Sequence, residues 1–510
     1  MNSKITLLSA LLCSTLGFAQ TEFLNPDFGT NGAACIDVPG QTIVMGDIIK
    51  VNDAFYGLTS FTNHALVKLS ETGQIDPEFG TNGYVQLDLT SASGSLYDET
   101  NAFIKTTPDN NLLMVGNTGY LPEHNFMVKT DLNGNPITSF GDNGYVSLDW
   151  PDYLNVMFTE IINNEIVIVF ANESWSGEEP YKYLLVMKYD LNGDPIATFG
   201  TEGKVQLDMD TEFFPESVHY FPDSGALAVL SEYFSETESY NNVTKYDLET
   251  GAVDASFGTN GSVDFYPENN NIFNPKVLYS DNTNIYLAGS VSLEGQNHSV
   301  FIRKLGLAGE PDTSFGTNGT FSYNISAFEF QNVWSITETN GYLTLTGSVR
   351  LFNPLSENIF LLRTTQNGVL DTGFGNNGFV LNPLTMALYM GAYRTLIDDD
   401  HITVATGSNA CTSDEQPKPA VVQFIAESSL ATTPVTKPTL EFYPNPVKDN
   451  LTITGEAITK AEVYDISGKL LYTITNPIAN KINLSTLQSG LYLLKIINAK
   501  GATNIKVVKE

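Results

Sequence analysis

Basic residues are scarce in this chain. Lysine and arginine number 25 against 58 aspartates and glutamates, a formal charge of −33. Nucleic acid and anionic membrane surfaces need a basic patch to neutralise phosphate, so both are poor partners and no nucleic acid is expected, while cations, sugars and basic proteins stay open. Cysteine is scarcer still, at three. Cys13 falls in the opening stretch MNSKITLLSALLCSTLGFAQ, where Lys4, an apolar run from Ile5 to Phe18 and small residues at Gly17 and Ala19 predict a secretory signal over residues 1–19, cut after Ala19. Leu11 and Leu12 precede Cys13, where a lipid-anchored signal would carry a small residue. Cleavage leaves Cys35 and Cys411, an even pair in a chain bound for an oxidising compartment. No later run approaches the ~20 apolar residues a membrane helix requires.

Catalytic signatures are missing too. There is no HExxH, paired-cysteine motif, GxSxG elbow or phosphate loop. Three of the five histidines, His64, His124 and His298, share one repeat position, but equivalent positions of a ring stand far apart and cannot meet at one metal. They are expected to be ordinary surface histidines, as are His219 and His401. No catalytic residue and no cofactor is assigned on this basis. Calcium is the one metal left open, at Asp37, Asp88, Asp149 and Asp208, each nine residues after a recurring phenylalanine; capping the next loop is the competing role. The DLNG stretches at Asp131 and Asp190 lack the alternating ligands of a calcium loop and read as hairpin turns, and Asp398 to Asp400 read as a polar turn.

What the chain does have is repetition. The pentapeptide FGTNG at Phe28 returns, with small changes, at Phe79, Phe140, Phe199, Phe257, Phe315 and Phe374, at intervals of 51, 61, 59, 58, 58 and 59 residues. The second glycine tolerates positive φ, and asparagine fills the preceding slot in six of the seven copies, so each copy predicts a tight turn with its Phe plugged into a core. Between turns the text yields four short alternating strands and no useful helical periodicity, the pattern of a propeller blade. The first strand after the signal, residues 33–37, has no three strands before it, and the seventh unit supplies only three. The orphan is expected to close the ring as the outer strand of the last blade, giving a seven-bladed β-propeller over residues 20–427. Cys35 would then lie on the closing strand and Cys411 in a loop of the same blade, where a disulfide could clasp the ring.

The Ser/Thr/Pro stretch 428–439 reads as a linker. Residues 437–510 carry nine lysines against six acids, opposite in sign to the rest, and the short alternating strands of 440–510 predict a small antiparallel β-sandwich. The fold class is therefore all-β, propeller then sandwich.

Two resemblances sit on these residues. The FG turns with lead-ins such as VDASFG from Val253 and PDTSFG from Pro311 resemble the delta-60 repeat, a bacterial propeller-type repeat that implies no single activity. Residues 440–510, with FYPNPVKDNLTI from Phe442, VYDISGKLL from Val463, SGLYLLKI from Ser489 and KVVK before Glu510, resemble the type A sorting domain of the type IX secretion system. That resemblance implies passage through the periplasm, export across the outer membrane by the type IX machinery, and release or surface attachment. Carried onto this chain, the sorting signal would comprise Pro444, Asn445, Pro446, Gly468, Gly490, Tyr492, Lys506 and Lys509.

For function, the sequence offers a face. The FG turns crowd one rim, and the loops joining fourth to first and second to third strands emerge on the other. Those variable loops are expected to carry Trp150, Tyr153, Trp175, Phe213, Phe214 and Tyr233 among acids. Aromatic planes beside carboxylates suit sugar or cationic ligands. The expectation is a monomeric, secreted or surface-attached binding or adhesion protein with a glycan or protein ligand. Its rivals are an extracellular polysaccharide hydrolase or lyase, which would need two carboxylates about 5 to 10 Å apart in a pocket, and a purely structural surface protein.

Overall fold

A computed structural model describes residues 23–38, 42–61, 64–87, 102–117, 125–148, 154–172, 183–209, 213–235, 239–267, 271–281, 283–293, 296–325, 328, 330–352, 355–382, 394–398, 400–408, 418–426, 442–454, 458–464, 470–475, 477, 480–498 and 501–510. They fold almost entirely as strands, and none of them is α-helical. The chain divides into two compact units, Met1–Ser428 and Ser429–Glu510.

The first unit is the seven-bladed propeller. Its described residues form seven antiparallel four-stranded sheets, and six of them are consecutive in sequence, from Thr42–Val51 at the start of blade 1 to Phe379–Leu381 at the end of blade 6. Blade 7 is composite. Its strands Arg394–Ile397, His401–Ser408 and Lys418–Ile425 are completed by Ala33–Cys35, which pairs antiparallel with the last of them in the register Ala33↔Val422, Ala34↔Val421 and Cys35↔Ala420. The orphan strand of the sequence thus closes the ring where expected. Flanking bonds extend the seam, from Asn25 N to Gln423 O at 2.9 Å and from Ile36 N to Pro419 O at 2.9 Å.

The recurring pentapeptide forms the joint between blades. All seven phenylalanines are at most 5% exposed. Asn31 and its counterparts take φ between 53° and 56°, including Glu202 at 55° where asparagine is replaced. The joint itself is clearest at the seam: Gly29 N donates to Thr72 O of blade 1 at 2.8 Å. Gly73, in the same turn at φ +72°, lies so close to the Phe28 ring that a Cβ would stand 2.8 Å from it. The first glycine is as constrained as the second, because a Cβ on Gly29 would meet Ala33 O at 2.1 Å.

Sequence reading missed a second part of this joint. A basic residue stands eleven positions before the Phe in blades 1, 2, 3, 5 and 6 and twelve before it in blade 4: Lys68, Lys129, Lys188, Lys304, Arg363 and Lys245. Four of them pair with the aspartate three residues before the Phe, as Lys68–Asp76 at 2.9 Å, Lys245–Asp254 at 3.2 Å, Lys304–Asp312 at 3.0 Å and Arg363–Asp371 at 2.7 Å. In blades 2 and 3 that aspartate is Ile137 or Ile196, and the lysine turns to another acid: Lys129 to Asp109 at 2.9 Å, Lys188 to Glu165 at 3.2 Å and to Glu249. Several of these cations also cover the Phe of their own turn, with Lys188 4.7 Å from the Phe199 centroid and Arg363 4.3 Å from that of Phe374.

The second unit is a sandwich of a three-stranded sheet (Phe442–Tyr443, Asn450–Ile453, Lys481–Asn483) and a four-stranded one (Leu470–Thr475, Ile458–Tyr464, Gly490–Asn498, Gly501–Lys509). Val447, Leu451, Ala461, Val463, Ile482, Leu484, Leu494 and Val507 fill the space between them with no exposure.

Candidate functional site

The inner strands of all seven blades line one axial channel of about 1540 Å³. Register shifts between Val156 and Phe158, Pro215 and Ser217, Pro275 and Val277, and Val333 and Ser335 mark bulges at Met157, Glu216, Lys276 and Trp334, and all four of these residues line the channel. The charged groups of the wall join neighbouring blades in pairs. Arg394 reaches Asp47 at 3.4 Å, Lys105 reaches Glu160 at 2.7 Å, and Lys276 reaches Glu216 at 2.5 Å and Glu232 at 3.9 Å. Asp47, 3% exposed, also accepts Ile48 N at 2.8 Å and Ile104 N of blade 2 at 3.0 Å. These contacts bridge neighbouring blades; Asp47 is the buried member, and the other pairs are partly open to solvent, where each adds at most about 1 kcal/mol.

His219 lies in the same wall against Phe221 and Tyr279, at ring separations of 5.3 and 5.9 Å. Burial lowers its pKa to about 4. His64 is 3% exposed between blades 1 and 2, with Nδ1 3.0 Å from Thr59 O and Nε2 2.9 Å from Asn117 O; burial outweighs those bonds and lowers its pKa. Both correct the expectation of surface histidines. The error was one of context, since only the neighbouring blade makes these positions interior.

At the rim where fourth-to-first and second-to-third connections emerge, blade 4 carries a row of aromatic rings. Phe213 pairs with Tyr233 and Tyr233 with Tyr240, while Asn241↔Phe265 pairing sets Tyr266 beside Tyr240. Directly opposed residues on one sheet face meet side by side. The rings accordingly follow one another at 5.1 Å (Phe213–Tyr233), 4.5 Å (Tyr233–Tyr240, stacked) and 4.7 Å (Tyr240–Tyr266). Tyr266 ends the row 48% exposed. Phe214, 36% exposed, takes the other sheet face and lines the channel mouth.

The sequence placed Phe213, Phe214 and Tyr233 on loops. They stand instead at the ends of strands Phe213–Phe221 and Ala226–Phe234, which run further toward the rim than their alternation suggested because Pro215 and the bulge at Glu216 interrupt the pattern. Trp150, Tyr153 and Trp175 lie outside the described residues, as do Asp88, Asp149, His124, Cys411 and Gly468. Tyr240 and Tyr266 were missed. Tyr266 had a signal: it occupies the slot nine residues after the Phe that holds aspartate at Asp37, Asp88, Asp149 and Asp208. Of those, Asp37 is ion-paired to Lys418 at 2.8 Å, and among the described residues no three His, Cys, Asp or Glu gather as a metal site. Asp131 and Asp190 each accept two backbone N–H groups of their own turns, at 2.8 to 3.0 Å, as hairpin turns do.

Cys35 is disulfide-bonded. In the sandwich, Asn445 Oδ1 accepts Val508 N at 2.8 Å, Gly490 pairs with Lys509, and Leu493 with Lys506, so Pro444, Asn445, Pro446 and the terminal lysines converge along the last strand. Lys509 is 9% exposed rather than freely solvated, and Tyr492 donates its hydroxyl to Gln488 O at 2.9 Å.

No curated protein matches the chain in sequence. Among solved structures it is similar to Drosophila Semaphorin 2a, at 7% identity and a TM-score of 0.44 over 94% of this chain and 98% of that one. It is also similar to a protein of unknown function from Dyadobacter fermentans, at 11% identity and a TM-score of 0.37 over 79% of this chain and all of that one. No helix among the described residues is long and apolar enough to cross a membrane. Residues 441–510 match the secretion system C-terminal sorting domain, so the chain is a β-propeller addressed by the type IX secretion machinery to the cell surface or beyond it.

Proposed function

We propose that the propeller is a glycan-binding protein that works outside the cell, with the rim of blade 4 as its contact surface. The observation that carries this reading is the cross-strand row Phe213–Tyr233–Tyr240–Tyr266, which runs outward from the inner strand of blade 4 and ends in a half-exposed tyrosine beyond its outermost strand. A rigid row of rings offers apolar area for sugar C–H groups at little entropic cost, and each hydroxyl adds a polar handle. The export address, the signal predicted over residues 1–19 and the delta-60-like repeats support a secreted scaffold whose specificity lies in its variable rim. A hydrolase would need two carboxylates facing an open gap. Glu216 and Glu232 on blade 4 both face the Lys276 ammonium rather than such a gap.

The test is a glycan array followed by titration of any hit with the full chain and with Tyr240→Ala and Tyr266→Ala. Each substitution should weaken binding roughly two- to tenfold. Unchanged affinity in both variants would remove blade 4 as the contact surface.

A further inference from the structure

The aromatic row of blade 4 leads to the channel. Its rings run from Tyr266, beyond the outermost strand, through Tyr240 and Tyr233 to Phe213 on the innermost strand, Phe213–Phe221. Phe214, the next residue, already lines the channel. The channel lies beyond the inner edge of the sheet rather than behind one of its faces, so a chain that follows the row inward arrives at the mouth. At about 1540 Å³ it exceeds the roughly 300–1,000 Å³ of an ordinary small-molecule pocket, which leaves room for several sugar units. Its wall is balanced in charge. The charged residues among the described lining are Arg394, Lys105 and Lys276 against Asp47, Glu160 and Glu216, three of each sign in a chain of formal charge −33. Those cations reach those acids in the same order, at 3.4, 2.7 and 2.5 Å. Burial keeps His219 neutral, with its pKa lowered to about 4. The rest of the wall includes half-buried rings, Phe158, Tyr279 and Trp334. A bulge turns Trp334 toward the channel, and its indole Nε1 donates to Ser348 Oγ at 3.2 Å. Asn332, Ser335 and Thr337 of the same strand add amide and hydroxyl groups to the lining.

We infer that the channel is the inner part of the glycan site and takes a segment of an uncharged polysaccharide, whose neighbouring units lie along the row from Phe213 to Tyr266. This rests on the glycan reading above and adds where the bound chain leads and what charge it carries. Rings and hydroxyl-bearing side chains suit the C–H and O–H groups of neutral sugars. A uronate or an ammonium group would enter a wall whose charges already have partners, and would stay unpaired or break one of the bridges. Uronates would also meet repulsion from the acidic exterior.

The experiment titrates the full chain with linear hexamers of glucose, mannose and xylose, and with a glucosamine hexamer and an oligogalacturonate of the same length. Binding is followed by calorimetry and by tryptophan fluorescence. Trp334→Phe reports on the channel and Tyr266→Ala on the rim, each checked for an unchanged melting transition. At least one neutral hexamer is expected to bind about tenfold tighter than either charged one and to change the tryptophan emission. Trp334→Phe should abolish that change, whereas Tyr266→Ala should weaken binding and keep the change at saturation. A neutral hexamer that binds with no Trp334-dependent change in emission, or tighter binding of a charged hexamer, would overturn the inference. If the bound hexamer still depended on Tyr266 in that case, the glycan reading would survive alone. Binding of no probe would overturn both.

Discussion

Asn25 and Gln423, 398 residues apart in sequence, face each other across the ring closure, with Asn25 Nδ2 donating to Gln423 Oε1 at 2.6 Å. They occupy the places held at other joints by an aspartate and a lysine or arginine, since Asn25 stands three residues before Phe28 as Asp371 stands before Phe374. The closing joint has the geometry of the others with the charges removed. A neutral pair needs no desolvation of ions. Gln423→Lys alone would bury an ammonium beside an amide and should destabilise the propeller by about 3 kcal/mol. Adding Asn25→Asp restores the pair used elsewhere and should recover most of that loss. A double-mutant cycle by urea denaturation measures the coupling, and a value near zero would show that the two side chains do not act together.

The same seam predicts a covalent partner. Cys35 is disulfide-bonded on the closing strand, and Cys411 is the thiol the sequence assigns to blade 7. Cys411→Ser should leave Cys35 titratable with a thiol reagent and lower stability by about 3 kcal/mol or more, because the bond would close a very long loop. Reductant should lower the wild-type melting temperature and leave that of the variant unchanged. Peptide mapping that finds Cys35 bonded elsewhere would refute the pairing.

How far the sequence reached follows from the range of the forces involved. The seven turns were legible because φ > 0 favours glycine or asparagine in each slot, so Gly29, Asn31 and Gly32 recur with Glu202 as the one departure. The closure by residues 33–37 was legible because a strand without a blade and a blade without a strand can satisfy only each other. The joint cations had a signal that was passed over, since they recur eleven or twelve residues before the Phe and four of them face the aspartate three before it; only Lys129 and Lys188 find acids at no fixed spacing, Asp109 ahead of one turn and Glu249 of the next blade. Likewise the aromatic row depends on cross-strand register in a blade whose inner strand carries a bulge, and Tyr240 gains its role only from Tyr233 and Tyr266 beside it.

Glu202 tests the turn argument directly. It holds φ 55° in the slot where the other six copies place asparagine. A long side chain gains nothing there, whereas asparagine visits the left-handed region more readily. Glu202→Asn should therefore stabilise the propeller by roughly 0.5–1 kcal/mol in urea denaturation. A loss of stability would mean that the Glu202 carboxylate contributes more than its backbone costs.

The channel histidine gives the protein an acid-sensitive limb. Burial against Phe221 and Tyr279 lowers the pKa of His219 from 6.5 to about 4. Between those values the unfolded chain binds a proton that the folded chain refuses, so stability is full above about pH 6.5 and falls as the pH drops toward 4. At about 1.4 kcal/mol per unit, discounted for the ring's residual contact with solvent, His219 accounts for about 2 kcal/mol of that fall. His64, also lowered by burial, adds to the slope in the same direction. Carboxylates take over only at lower pH. Asp109 is raised by burial but held down to about 2 by bonds from Thr107, Lys129 and Asn111, so its contribution is lost below its unfolded pKa near 3.8. The contrast is measured by urea denaturation of wild type and His219→Gln at pH 7 and pH 4.5. The variant should lose about 2 kcal/mol less than wild type between the two, and an equal loss in both proteins would show that His219 takes up its proton as readily in the folded channel as in the unfolded chain.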